Sequence, residues 1–220
     1  MIFFKPNCPH HCLNSMQLVR AFNFLSSILV ILTVLSCAQN QGPNIDEIQG
    51  KTVHSIVSEV IHIEDGTTFE IPKEGLKKIF YLTRHAEKDT VNKQDPILTS
   101  AGLDRSAKLA DILRGTRIDA IYSTLFMRTM LTVDSLADTK LMKILPYDNK
   151  NIRTTIQEIK ASDNINRVLM VGHSNTIPSI VNSISKQTIF QSNFEENDYS
   201  NFVVVALYND DKSQVYKLKY

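Results

Sequence analysis

The chain is 220 residues long and carries a formal net charge of +1, with 43% hydrophobic and 21% charged residues. That balance describes an ordinary globular core under a solvated surface, with no strong field to recruit nucleic acid. Seven Gly, seven Pro and three Cys, all before residue 38, exclude a collagen, a low-complexity chain, a disulfide mini-protein and a zinc-finger array.

The first 36 residues contain Lys5 and Arg20 and no acid, and an apolar run follows from Ala21 to Leu35. The run is shorter than the ~20 apolar residues that a membrane-spanning helix needs and suits the core of an export signal. Met16, which places Arg20 close to a start, is the expected initiator. Cys8-Pro9-His10-His11-Cys12 lies upstream of it, without further ligands at zinc-like spacing. Val34-Leu35-Ser36-Cys37 resembles a bacterial lipobox, which implies cleavage before Cys37 and lipidation of its sulfur. The expected location is therefore an exported domain, lipid-anchored to a bacterial membrane and facing the periplasm or cell exterior. Ala38 after the cysteine carries no obvious signal for retention at the inner membrane.

Residues 38–50 are polar, with Gly42, Pro43 and Gly50, and read as a tether. Asp65-Gly66 between two β-rich runs predicts a two-residue hairpin turn with positive φ at both positions, and hence an accessory hairpin over 51–77. From Lys78 the chain alternates strand and helix. Ile79–Leu82, Ala120–Tyr122, Met142–Pro146 and Val168–Val171 read as strands. Leu103, Ala107, Ala110 and Leu113 form a helical stripe with Thr99 or Ser100 as N-cap and Gly115 at its end. Phe126, Met130, Val133 and Ala137 form a second stripe. Helices are also expected over 152–159 and 177–184, and late strands over 202–207 and 215–220 as an antiparallel pair, with 186–201 a polar loop. The expectation is an α/β three-layer sandwich, a mostly parallel sheet with helices on both faces, spanning residues 78–220.

Ligands of open α/β sheets bind beyond the carboxyl ends of the strands. Thr83-Arg84-His85-Ala86-Glu87-Lys88, Tyr122-Ser123-Thr124 with Arg128 and Thr132, and Gly172-His173-Ser174-Asn175 all fall at such ends. Of the six histidines, His54 and His62 fall in the accessory strands, leaving His85 and His173 for chemistry.

This ordered set resembles the histidine phosphatase superfamily, with its phosphoglycerate mutase-like fold. Arg84-His85 is similar to the signature bearing the nucleophile, Leu98–Gly102 with Arg105 to the helix after it, Arg128 to the second phosphate arginine, and Val171–Asn175 to the second histidine. The resemblance implies a phosphatase in which His85 becomes a transient phosphohistidine, Arg84 and Arg128 clamp the phosphoryl oxygens, and His173 stabilises the transferring group. Thr99, Ser174 and Asn175 are further candidates for substrate contact. Two forked guanidinium groups suit the three equatorial oxygens of a phosphoryl group in transfer, and their charge would help keep His85 neutral.

The family's carboxylate proton donor has no clean match; Asp148 and then Glu87 are the candidates. A missing donor would favour phosphohistidine or phosphoanhydride substrates, whose leaving groups need a proton less than an alkoxide does. The short stretch between Arg128 and His173 leaves no room for a capping insertion, which favours a small open site and hydrolysis over a mutase-type transfer. The expected partners are a small phosphorylated substrate or a phosphohistidine protein, and the membrane through a lipid anchor, with no cofactor and no metal. Rival readings are a non-catalytic protein that binds phosphorylated ligands, a metal hydrolase using His85, His173 and Asp148 or Glu87, and an α/β-hydrolase with Ser174 as nucleophile. The last lacks any histidine after position 173.

Overall fold

A computed structural model describes residues 45–91 and 93–220. Cys37, the apolar run and the first part of the expected tether lie outside the described residues.

Among the described residues, nine strands and four α-helices follow one another. Strands β1 (Val53–Val57), β2 (Val60–Ile63) and β3 (Thr68–Glu70) form a small antiparallel sheet. The main body runs β4 (Leu76–Arg84), α1 (Ser100–Ile112), β5 (Ala120–Ser123), α2 (Met127–Lys140), β6 (Ile144–Pro146), α3 (Ile152–Ala161), β7 (Arg167–Gly172), α4 (Ile177–Ser185), β8 (Asn201–Tyr208) and β9 (Ser213–Lys219). Its six strands are ordered β6-β5-β7-β4-β8-β9. The first four are mutually parallel, while β8 and β9 are antiparallel to their neighbours.

Strand parity decides which layer each residue joins, because successive side chains leave opposite faces. On β4, Ile79 and Tyr81 pack with Ile121, Leu169 and Val171 against Leu109, Ile112, Val133 and Leu136 of α1 and α2. Phe80 and Leu82 pack on the other face with Val168 and Met170 against Ile156, Ile159, Ile180 and Ile184 of α3 and α4. Both faces are covered, so the central strands are apolar without alternation. This is the expected three-layer α/β architecture.

The differences from expectation are local. Residues 45–48 form a 3-10 turn, with Ile48 fully buried and the Gln49 side chain bonded to β9, so residues 45–50 of the expected tether are packed onto the domain. The accessory hairpin is a three-stranded meander that shares the core of the main sheet rather than standing apart from it. Its two-residue turn with positive φ at both positions is Ser58-Glu59 (48° and 67°), not Asp65-Gly66. Asp65 and Gly66 sit in a longer loop, where the Asp65 carboxylate accepts from the Thr67 amide and hydroxyl. Glu59 holds its turn from both sides, pairing with Arg167 at 2.8 Å and accepting the Ile71 amide on its carbonyl.

On α1 the buried face is Gly102, Ser106, Leu109, Ala110 and Ile112, while Leu103 and Ala107 face solvent. The real stripe includes small residues that an apolar search passes over. A Cβ on Gly102 would lie 2.2 Å from the Glu87 carbonyl oxygen, so only glycine lets the helix approach the loop after β4.

Candidate active site

The register of β4 against β7 builds the site. Arg84 pairs with Gly172 in the parallel ladder, and the His85 amide donates to the Gly172 carbonyl at 3.0 Å. One residue further along each strand stand His85 and His173, with ring centroids 5.5 Å apart and the rings edge-to-face. Gly172 is closely packed: a Cβ would lie within 3.0 Å of Tyr147 Oη, Thr176 Oγ1 and Ile177 Cδ1, so these side chains would have to shift to admit one.

His85 is buried. Its Nδ1 lies 2.8 Å from the Ala86 carbonyl oxygen. A carbonyl can only accept, so Nδ1 carries the proton and the lone pair of the neutral ring sits on Nε2. Burial pushes the ring's pKa down to about 3, and the positive charges of Arg84 and Arg128 add to that, against the opposing pull of the Ala86 hydrogen bond. The ring is uncharged at neutral pH, with its Nε2 lone pair available. Ala86 is fixed in turn by Thr132, whose hydroxyl accepts the Ala86 amide at 2.9 Å and donates to the Arg128 carbonyl at 2.7 Å. The loop that carries His85 is thereby tied to α2.

His173 Nε2 lies 3.1 Å from the Thr124 hydroxyl, and the Phe126 ring meets the imidazole edge-on. Burial lowers its pKa to about 4, with Arg128, Arg84 and Lys88 pushing in the same direction.

The two arginines are in different states. Arg84 is fully buried. Its Nη1 donates to the carbonyls of Glu195 and Glu196 at 2.9 Å each, and its Nη2 donates to Glu196 Oε2 at 2.8 Å. The Tyr199 ring covers its face at 4.4 Å. Arg128 packs over Phe126 at 4.3 Å and has only a long ion pair, 3.8 Å, with Asp95. The Nε atoms of both are buried without a hydrogen-bond partner. Unsatisfied buried donors are rare and costly, and two beside a neutral imidazole suit a site built for an anion.

An open cleft of ≈ 380 Å³ is lined by His85, Lys88, Phe126, Arg128, Asn149, His173, Ser174, Asn175 and Glu196; Arg84 is not part of that lining and meets it through Glu196. Ser174 and Asn175 are thus at the cleft as expected, although the Ser174 hydroxyl donates to Glu196 rather than to a histidine. Three other candidates are elsewhere. Thr99 caps α1, accepting the Gly102 amide and donating to the Glu87 carbonyl. Asp148 accepts the Lys150 amide at 3.0 Å as the cap of a 3-10 turn, and its neighbour Asn149 takes the place in the cleft. Glu87 is held by Arg105 through three contacts of 2.7–2.9 Å. Burial, the largest single influence, would raise its pKa, but the Arg105 hydrogen bonds, a backbone hydrogen bond and the positive charges of Arg105 and Arg84 together leave the carboxyl more acidic than usual. Neither proposed acid reaches the cleft, and the metal reading loses the carboxylate it needed from them. Among the described residues, no group of three or more His, Cys, Asp or Glu is arranged to hold a metal ion, and no helix is long and apolar enough to cross a membrane.

Sequence reasoning missed Lys88, Phe126, Asn149 and Glu196. All but Phe126 come from loops with no periodicity, and Phe126 reads as a core residue by helical spacing.

Residues 80–150 match the family model described as the histidine phosphatase superfamily (branch 1). No curated protein matches the chain significantly. Solved structures do. The protein histidine phosphatase SixA complexed with tungstate is similar at 17% identity and TM-score 0.51, covering 64% of this chain and 96% of that one. The alpha-ribazole phosphatase of Shigella flexneri aligns at 9% identity and TM-score 0.54, covering 64% and 96%. Bacillus stearothermophilus YhfR aligns at 14% identity and TM-score 0.52, covering 63% and 95%. The chain therefore has the phosphoglycerate mutase-like fold of histidine phosphatases, and the segment from β4 to the turn before α3 carries that superfamily's sequence pattern.

Proposed function

We propose that the protein is a member of the histidine phosphatase superfamily, a metal-independent phosphatase that hydrolyses phosphomonoesters or phosphohistidine through a covalent phosphohistidine on His85. The observation that carries this reading is the state of His85: uncharged, protonated on Nδ1 by its bond to the Ala86 carbonyl, with Nε2 left as the nucleophile beside His173 and two arginines. Nε2 attacks phosphorus, Arg128 and Arg84, whose Nε has no protein partner, hold the equatorial oxygens, and His173 stabilises the charge from the β7 side. Water then resolves the phosphoenzyme.

The similarity to SixA, a protein histidine phosphatase, favours phosphohistidine among the candidate substrates. The open cleft favours hydrolysis over intramolecular transfer, because a mutase must shield its phosphoenzyme from water. Upstream, Cys37 is proposed as the lipidated residue that holds the domain at a bacterial membrane, facing the periplasm or cell exterior. Mass spectrometry of the mature N-terminus tests this, and an unmodified Cys37 contradicts it.

The activity is tested with p-nitrophenyl phosphate, with and without EDTA, beside His85→Ala. EDTA-resistant turnover lost on substitution supports the phosphatase. Chelator-sensitive turnover points to a metal site, and phosphate binding without turnover points to a receptor for phosphorylated ligands.

A further inference from the structure

Glu196 lies on the loop between α4 and β8. Among the described residues it is the one carboxylate that lines the cleft. Its two oxygens are held by different walls: Oε2 accepts from Arg84 Nη2 at 2.8 Å, and Oε1 accepts from the Ser174 hydroxyl. The side chain is 75% exposed at the rim, whereas His85 is 3% exposed at the floor.

Arg84 has two hydrogen-bonding edges. Nη1 is spent on the carbonyls of Glu195 and Glu196. The other edge, Nε with Nη2, presents the parallel pair of donors that fits two oxygens of one anion. Of this pair, Nη2 donates to Glu196 and Nε has no partner within the protein. A phosphoryl group that fills this edge displaces the Glu196 carboxylate from Arg84, and the Ser174 hydroxyl can turn to the phosphoryl oxygen at the same time.

Building on the phosphatase reading above, we propose that Glu196 is the proton donor to the leaving group of phosphate monoesters, parked on Arg84 and Ser174 until the phosphoryl group takes those two donors. The leaving oxygen departs on the side of phosphorus away from His85, toward the mouth of the cleft, where Glu196 stands. As His85 Nε2 bonds to phosphorus the ester P–O bond breaks, and the Glu196 proton passes to the departing oxygen, giving an alcohol, a carboxylate and N-phosphorylated His85. In the second step the carboxylate takes a proton from the attacking water. The P–N bond breaks, and phosphate, neutral His85 and protonated Glu196 are restored.

The charged and titratable groups facing Glu196 are Arg84 on β4, His85 and Lys88 just after it, and His173 after β7, beside the Ser174 hydroxyl. The Ser174 hydrogen bond, with Arg84 and Lys88, holds the carboxyl below its usual range, against the pull of burial. Loss of Ser174 and Arg84 to a phosphoryl dianion reverses that balance, so the acid is charged with its proton when substrate arrives.

The test compares Glu196→Gln with wild type on two substrates, glycerol phosphate with its poor alkoxide leaving group and p-nitrophenyl phosphate with a good one. The expected loss in kcat is about 10²- to 10³-fold on the alkyl ester and less than about tenfold on the aryl ester. Glu196→Asp should recover part of the alkyl activity, which a merely structural contact would not do. Equal losses on both substrates, a gain on both, or a wild type that hydrolyses only the aryl ester would each overturn the assignment while leaving the phosphatase reading intact. A wild type inert toward both and never phosphorylated on His85 would overturn the two together.

Discussion

His85 and His173 stand side by side because Arg84 and Gly172, the residues before them, are partners in the parallel ladder of β4 and β7. Two segments far apart in sequence are fixed by backbone register, and the rings inherit a 5.5 Å separation. A one-residue slip would turn every buried side chain of β7 to the opposite layer, so the two hydrophobic cores guard the pairing of the histidines.

Gly172→Ala tests how tightly that ladder end is packed. The added methyl meets Tyr147, Thr176 and Ile177 at 2.7–3.0 Å. The expected cost is about 1–3 kcal/mol, read as a lower urea midpoint at unchanged m-value. An unchanged midpoint would mean the neighbours yield freely.

The two arginines should separate in their effects. Arg128 has few protein partners, so Arg128→Ala should raise KM roughly 10- to 100-fold, the loss of charge-assisted hydrogen bonds of about 1.5–3 kcal/mol, with little change in stability. Arg84 also anchors the loop carrying Glu195 and Glu196, so Arg84→Ala should cost about 1–3 kcal/mol of stability besides its activity. Urea unfolding with steady-state kinetics checks both; equal stability losses would contradict the distinction.

Acid should weaken the fold through the same histidines. Both are buried neutral, with pKa values lowered to about 3 for His85 and about 4 for His173, against about 6.5 when unfolded. Above about pH 6.5 neither state takes up a proton at these rings. Below it the unfolded chain binds protons that the native state refuses, so stability falls with pH down to about 3–4. Replacing His173 with Gln should flatten the decline of unfolding free energy between pH 6.5 and 4. An identical slope in the variant would contradict the buried neutral state.

The strands and the residues at their ends were legible because a sheet covered on both faces demands unbroken apolar runs, and phosphoryl chemistry demands Arg and His just beyond them. What stayed hidden depends on contacts that no local pattern encodes. The Ser58-Glu59 turn contains no Gly, Asn or Asp to favour its positive φ angles and is held by Arg167, remote in sequence. The α1 core face depends on Gly102 and Ser106, whose hydroxyl donates to the Leu131 carbonyl. Asp148 missed the cleft by one residue because its carboxylate is used to cap a turn, and Glu196 entered it only because Arg84 folds the 195–198 loop over the strand end.

The central claim is the phosphoryl bond to His85, and rapid-quench trapping of the phosphoenzyme measures it directly. Wild type mixed briefly with excess substrate should give one acid-labile, alkali-stable phosphoryl group, mapped by mass spectrometry to residue 85 and absent from His85→Asn. Turnover without that adduct, or an adduct on any other residue, would contradict the account.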